Sequence, residues 1–271
     1  MERIVLGYDG SPASVAALHW TAARAARRAV VVDVVNVLSP LAPDRSVGLL
    51  QLADADAFLR ERAPGLDVGL HRLEGQMPGT LSDFARDADL VVIGISTGHP
   101  VRAALAGFMP LRLTINSSAP VVLVPAHWVE TNDPVTAGVA SDSSSDAAIR
   151  FAADEAGSTG ASLRLVHAWL MPTPSMEGSA VVVHTPEAVI ARHQEVLDAA
   201  AETVRARHPL VPVHTDLVRD SRSAALMRFA PTSSLLVVGT HRLGPFAGGL
   251  LGSVAQEILW RAECPVCVVP Q

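Results

Sequence analysis

The sequence predicts an α/β protein made of two tandem, doubly wound domains, each with a five-stranded parallel sheet. Short apolar segments alternate with helix-like segments along the 271 residues, a pattern typical of parallel strands covered by helices on both faces. The pattern restarts after a polar stretch at 127–134. Hydrophobic residues make up 49% of the chain and charged residues 18%, which is enough apolar surface for a packed core.

The first half opens with a short apolar segment at 3–8, which predicts a strand. Ser11 and Pro12 follow a turn and are typical of a helix start, because serine caps and proline suits the first helical turn. A helix is therefore expected over about 13–28. The remaining elements of this half are predicted as strands at 30–38, 67–73, 90–94 and 120–124, and helices near 49–63, 79–88 and 105–118.

The second half repeats this order of elements. Its strands are predicted at 135–140, 162–169, 211–218, from 235 to 238 and at 265–269, and its helices near 144–156, 186–207 and 223–229. The segment 170–185 contains Pro172, Pro174 and Gly178 and is predicted to be a loop.

Equal spacings show that the second half is a duplicate of the first. Gly239 follows Gly94 by 145 positions, and Gly138 follows Gly7 by 131 positions. Each half reads βαβαβαβαβ, and right-handed crossovers make such a chain a doubly wound sheet. We predict a first domain at 1–126, a linker at 127–134 and a second domain at 135–271.

Charge and composition exclude several classes of protein. The net charge is −6, and Arg24, Arg27 and Arg28 are the one basic cluster, at a predicted helix end where cations suit the helix dipole; nucleic acid is not an expected partner. All 21 basic residues are arginine, which excludes the P-loop lysine and lysine Schiff-base chemistry. We find neither a membrane-spanning apolar run nor a signal peptide, so a cytoplasmic protein is expected.

Cys264 and Cys267 form a CxxC spacing that has two interpretations. A redox pair or half of a zinc site is the first, and an ordinary strand is the second. Pro265 and the valines that follow favour the strand. The histidines show no ligand spacing, and we predict no metal site.

Two loops carry the candidate binding residues. In doubly wound sheets ligands bind outside the carboxyl ends of the strands, where the winding direction reverses. Asp9 follows the first strand, and a glycine-rich stretch at 237–254 follows the fourth strand of the second half and leads into a helix through Ser253. Glycine amides and a helix N-terminus suit an anion such as phosphate, although an ordinary turn between strand and helix has the same pattern.

The sequence resembles the universal stress proteins, specifically tandem members with two such domains. The resemblance rests on the opening VLGYDGSP at 5–12, on the loop pattern G-x2-G-x9-G-[ST], and on CPVCVVP at 264–270 with its first-half counterpart at 119–125. It implies a Rossmann-like fold of the adenine nucleotide α-hydrolase-like type with strand order 3-2-1-4-5. It also implies ATP, possibly with Mg, between strands one and four, and association through edge strands, either as an intrachain pseudo-dimer or as a homodimer.

The resemblance assigns binding residues in both halves, and neither half keeps the complete motif. In the second half Gly239, Gly252 and Ser253 match, whereas Arg242 replaces the second glycine. Ala140 replaces the aspartate, and Asp142 lies two positions later. The residues assigned in this half are Gly239, Thr240, His241, Arg242, Gly252, Ser253, Val254, Ala140, Asp142 and Ala168.

The first half keeps the aspartate, Asp9, but departs from the phosphate loop. Thr97 replaces the second glycine, and Phe108 replaces the capping serine. The residues assigned in this half are Gly7, Asp9, Asn36, Gly94, Ser96, Thr97 and Gly107. If one half alone binds, we expect the second, because it keeps the end of the loop that holds phosphate.

The predicted function is adenine-nucleotide binding by a sensor or regulator of the stress response, without efficient catalysis. The alternative is a nucleotide-free interaction module of the same fold. A third hypothesis, an ATP pyrophosphatase, requires an SGGxDS loop that DGSPAS at 9–14 does not supply.

Overall fold

A computed structural model describes residues 1–40, 47–96, 109–172, 175–177, 180–182, 185–240, 257–259, 261 and 263–271. The strands are β1 (Glu2–Gly7), β2 (Val30–Leu38), β3 (Asp67–Glu74), β4 (Leu90–Ile95), β5 (Val121–Pro125), β6 (Val135–Val139), β7 (Leu163–Trp169), β8 (Ser175–Glu177), β9 (Ala180–Val182), β10 (Val213–Arg219), β11 (Leu235–Gly239) and β12 (Val266–Val269). The helices are α1 (Pro12–Ala25), α2 (Val47–Arg62), α3 (Gly79–Phe84), α4 (Met109–Asn116), α5 (Asp146–Thr159), α6 (Pro186–Arg207) and α7 (Arg222–Phe229).

Ten of these strands form one continuous sheet in the described part of the chain. Its order is β10-β7-β6-β11-β12-β5-β4-β1-β2-β3. Within each half the strands are parallel and follow the order 3-2-1-4-5, so the predicted fold class is confirmed. The two halves meet at their edge strands, where β12 pairs antiparallel with β5 and Cys267 lies opposite Val122. This pairing covers the last strand of each parallel sheet within one chain.

The sheet is buried on both faces because its strands carry aliphatic residues at successive positions. Side chains alternate between faces along a strand, so Ile4 and Leu6 of β1 belong to one apolar cluster. Val5, between them, belongs to the other cluster, with Val91 and Ile93 of β4. Helices pack on both faces, since α1 adds Ala17 and Trp20 to the first cluster and α3 adds Leu81 to the second.

Local sequence signals explain most of the element boundaries. Ser11 caps α1 through a hydrogen bond from the Ser14 amide, as the sequence predicts. The helix ends at Ala25, before the predicted end at 28. The segment predicted as a loop at 170–185 is different, because β8 and β9 pair antiparallel as a short hairpin; its run of valines has the β-branched side chains that strands favour.

None of the helices in the described part of the chain is long and apolar enough to cross a bilayer.

Candidate functional site

A cavity of about 150 Å³ lies at the carboxyl ends of β1, β2 and β4, on the first half of the sheet. It sits where the chain winds in opposite directions from β1 and β4, the place at which open α/β sheets bind ligands. The residues that line it are Gly7, Tyr8, Asp9, Ser11, Ser14, Val35, Val37, Met77, Leu81, Ile93 and Gly94. The wall is therefore apolar with a polar edge at the start of α1.

The polar edge is built around Asp9. One oxygen of its carboxylate, Oδ1, accepts a hydrogen bond from the Ser11 amide at 3.0 Å, and the Asp9 amide donates to Ser14 Oγ at 3.3 Å. Burial opposes ionisation, but the hydrogen bonds from Ser11 and Ser14 outweigh it and hold the pKa of Asp9 below its usual range. Asp9 is thus an ionised acceptor at the rim of the cavity, suited to a hydroxyl or amine donor.

Asn36 lies on the opposite face of β2 from the cavity wall. Its side-chain amide donates to the Tyr8 carbonyl at 2.8 Å and to Gln51 Oε1 at 3.1 Å. Gln51 on α2 in turn donates to the Asp9 carbonyl at 2.7 Å. This polar bridge fixes the end of β1 against α2, and it therefore orients the turn that presents the Asp9 carboxylate.

Gly94, at the end of β4, has a packing role that its place in a glycine loop does not reveal. A Cβ at this position would overlap the backbone carbonyl of Ala13 and lie 2.5 Å from the Ser14 nitrogen. The absence of a side chain lets the first turn of α1 pass directly over β4. That contact holds the end of β4 beside the turn that carries Asp9.

The second half repeats this backbone arrangement without the carboxylate. The Ala140 amide donates to Ser145 Oγ at 2.9 Å, the counterpart of the bond from Asp9 to Ser14 131 positions earlier. Asp142 Oδ1 accepts from the Ser144 amide and caps a short 3-10 turn at 143–145. Asp142 therefore stands at the counterpart of the helix-capping Ser11, two positions beyond that of Asp9.

The strand register relates Asn36 and Ala168, the residues assigned on the second strand of each half. Gly7 pairs with Val35 and Gly138 with Val166, so the counterpart of Asn36 is His167. Ala168, the residue assigned in the second half, corresponds instead to Val37 of the cavity wall. The two assigned positions are offset by one residue and face opposite sides of the sheet.

His167 and His193 are polar residues that the sequence analysis did not assign. The buried His167 ring contacts the Val139 carbonyl through Nδ1 at 2.8 Å and His193 Nδ1 through Nε2 at 2.8 Å. The pair repeats the polar bridge of Asn36 and Gln51, since it also links the end of the first strand to the second helix. His167 lies 131 positions after Asn36, so the offset between the two halves identifies it from the sequence.

Gly239 is the last residue of β11 in the second half, and Thr240 follows it. A Cβ on Gly239 would lie 2.5 Å from the Ser144 carbonyl oxygen, so this glycine admits the turn that precedes α5, as Gly94 admits the first turn of α1. The Thr240 amide donates to the Val269 carbonyl at 3.0 Å, which ties the end of β11 to β12. Both residues are thereby placed at the carboxyl edge of the second sheet.

The other assigned residues divide between described and undescribed parts of the chain. Gly7 lines the first-half cavity, and Ser96 is exposed directly after β4. The assigned residues that lie outside the described residues are Thr97, Gly107, His241, Arg242, Gly252, Ser253 and Val254.

The CxxC pair lies at the start of the last strand, with Cys264 before it and Cys267 within it. Cys264 and Cys267 are both buried and not disulfide-bonded. Burial raises the pKa of the Cys264 thiol to about 12, which opposes thiolate chemistry. Among the described residues there is no group of three or more metal-ligating side chains.

Comparisons with known proteins agree with this architecture. The chain matches the family model described as the universal stress protein family over residues 1–125 and 131–270. Universal stress protein Rv2005c of Mycobacterium tuberculosis is 30% identical over 297 residues, which cover 99% of this chain and 97% of that protein. Universal stress protein Rv1996 of the same organism is 28% identical, with coverage of 99% and 95%.

Two solved structures share the fold over the full length. A putative universal stress protein from Pseudomonas aeruginosa has a TM-score of 0.71 and 18% identity, covering 100% of this chain and 93% of its own. A universal stress protein from Archaeoglobus fulgidus has a TM-score of 0.70 and 16% identity, with coverage of 99% and 96%.

Proposed function

Because this chain belongs to the universal stress protein family, we propose that it binds an adenine nucleotide and acts as a sensor or regulator in the stress response. Each half, at 1–126 and 135–271, is one domain in this proposal, with 127–134 as the linker. ATP, possibly with Mg, is the specific ligand we propose.

The observation that carries the proposal is the cavity between β1 and β4 with Asp9 at its rim. A ribose has vicinal hydroxyl donors, and the ionised Asp9 carboxylate is an acceptor placed at the polar edge of an otherwise apolar pocket. The apolar wall formed by Val35, Val37 and Met77 suits the faces of a base. The phosphates would then extend toward the segment that follows β4, where the family resemblance assigns the phosphate loop.

The same residues support binding rather than efficient catalysis. Among the described residues that line the cavity, Tyr8 and Asp9 are the titratable groups. Burial, followed by the charges of Asp54 and Asp9, raises the pKa of Tyr8, so its phenol stays protonated. The lowered pKa of Asp9 makes it a weak base, and a general base works best with a pKa near the working pH.

A nucleotide-free interaction module is the second candidate, and one observation favours it. Gly94 and Gly239 are both required by the passage of a helix start over a strand end. The glycines therefore have a structural reason that does not depend on a ligand. In the second half Ala140 also lacks the carboxylate of its counterpart Asp9.

Titration with a fluorescent ATP analogue separates the two candidates. We would compare the native chain with Asp9→Asn, Asp142→Asn and Gly252→Ala. Asparagine keeps an oxygen acceptor for the amide two residues later and removes the charge, so Asp9→Asn and Asp142→Asn make the same change in the two halves. Mass spectrometry of the purified chain would detect a nucleotide that remains bound.

Each result has a distinct meaning. Weaker binding in Asp9→Asn alone places the nucleotide in the first half, and weaker binding in Gly252→Ala or Asp142→Asn alone places it in the second. Absence of saturable binding by the native chain, together with no nucleotide after purification, would refute the proposal and leave the interaction module.

A further inference from the structure

The two halves meet along a seam, where β5 pairs with β12. An approximate twofold axis that relates the two halves passes through this seam. Val122 of β5 lies opposite Cys267 of β12, and these residues are 145 positions apart, the spacing of equivalent residues in the two halves. Equivalent residues can contact one another only close to the axis that relates them. The axis therefore crosses the sheet between Val122 and Cys267.

A second pair of equivalent residues meets on the same axis, on one face of the sheet. Arg24 of α1 donates through Nη1 to Glu155 Oε2 of α5, with a separation of 131 positions. The two side chains are 3% and 5% exposed, so this ion pair is buried. Two further equivalent residues, Trp20 and Phe151, each lie with their ring 5.7 Å from the Arg24 guanidinium carbon.

Surrounding groups hold the charges of this pair in place. Glu2 accepts from Arg24 Nη2 at 2.8 Å and from Nε at 3.1 Å, and Arg28 lies 3.5 Å from the Glu155 carboxylate. Burial opposes the charge of Arg24, but the carboxylates of Glu2 and Glu155 outweigh it and raise its pKa. Arg24 therefore remains a cation in the seam.

A residue on a twofold axis meets its own copy when two identical domains pair. Two first halves would bring Arg24 against Arg24, and two second halves would bring Glu155 against Glu155. Each Arg24 would keep its own Glu2, but two first halves would bring two Arg28 groups together without Glu155, and two second halves would leave both Glu155 carboxylates without Arg24 and Arg28. Uncompensated buried charges of one sign are strongly unfavourable. Opposite charges arise only when a first half meets a second half.

We propose that Arg24 and Glu155 are a pairing code: they make the seam surface of the first half selective for the second half and reject the pairing of like halves. The partner that this surface fits is thus a second-half domain, in the same chain or in another copy of it. The code is independent of nucleotide binding.

Charge reversal in the full chain tests the code. Arg24→Glu places three carboxylates together at the seam, and Glu155→Arg places three guanidinium groups together. We expect each single variant to fold poorly or to lose on the order of 10 °C in Tm. The double variant R24E/E155R should have a higher Tm than either single variant, although Glu2 and Arg28 then face groups of like charge.

Mixing the two single variants tests for a joint complex, which loss of stability alone would not produce. A first half with Arg24 from the Glu155→Arg chain can pair with a second half with Glu155 from the Arg24→Glu chain. After joint refolding from urea, untagged Arg24→Glu chain should co-purify with tagged Glu155→Arg chain, whereas either variant refolded alone should not associate in this way.

The pair formed by Arg27 and Glu130 supplies the matched control. It joins the first half to the linker at 2.6 Å, and its side chains are 31% and 59% exposed, so water screens the reversed charges. Arg27→Glu and Glu130→Arg should keep the native Tm within about 2 °C and should show no co-purification. Single seam variants with the native Tm, or a mixture that yields no joint complex, would overturn the proposal.

Discussion

Replacement of Gly94 by alanine should destabilise the fold strongly, because the new methyl group has no space. Its Cβ would overlap the Ala13 carbonyl and lie 2.5 Å from the Ser14 nitrogen, roughly 1 Å inside the optimal non-bonded separation of about 3.5 Å. Both obstacles are backbone atoms, so a rotamer change cannot relieve the clash. Overpacking costs about 1–3 kcal/mol where side chains can move, and here we expect about 3 kcal/mol.

Thermal and urea denaturation measure this effect. A loss of about 3 kcal/mol corresponds to a fall in Tm on the order of 10 °C for a chain of this size. Gly157→Ala is the matched control, because its nearest non-local atom, Val211 Cγ2, would lie at an ordinary 3.6 Å. Within α5 alanine is favoured over glycine, and the control should gain about 0.5–1 kcal/mol.

The comparison of these two variants decides whether the close approach matters. Gly157→Ala should have a Tm equal to or above that of the native chain. If Gly94→Ala also keeps the native Tm, the first turn of α1 does not need the glycine and the packing argument fails. A Gly94→Ala variant that folds normally but loses nucleotide binding would instead indicate that Gly94 serves only the phosphate loop and not the packing of α1.

Two further predictions concern the thiols and the pH dependence of stability. Cys264 and Cys267 are buried with raised pKa values, so neither should react with a thiol reagent at pH 8 until the chain is unfolded; rapid reaction of the folded chain would contradict the burial. Burial, then the charges of His167 and Arg192, lowers the pKa of His193 below its ordinary 6.5. The unfolded chain then binds more protons, so stability should fall as the pH drops below about 6.5, and His193→Asn should reduce that fall in urea midpoints; equal slopes would refute this.

The core of each half was predictable because its signal is local and repeated. The strand β2 at 30–38 and the helix α6 at 186–207 have the boundaries that the sequence predicts, since apolar runs, caps and turn residues act over a few positions. The hairpin of β8 and β9 was not predicted, because prolines and a glycine nearby suggested a loop and the pairing depends on two short segments meeting.

The candidate site was predictable in outline and not in detail. Asp9 lies at the carboxyl edge between β1 and β4, the place that the doubly wound pattern indicates. The 131-residue offset would have related Asp142 to Ser11 and His167 to Asn36. The contacts of these residues needed the tertiary structure, because the bond from the Ser144 amide to Asp142 and the contact of His167 with His193 depend on how the chain folds in three dimensions.

The sequence by itself determined the duplication, the α/β class and the edge of the sheet at which the candidate binding residues lie. These follow from periodicity and from equal spacings along one chain. Only the tertiary structure decided which equivalent residues meet. Arg24 and Glu155 are 131 positions apart and read as ordinary helix residues, yet they form a buried ion pair because a twofold relation brings the same position of each half to one axis.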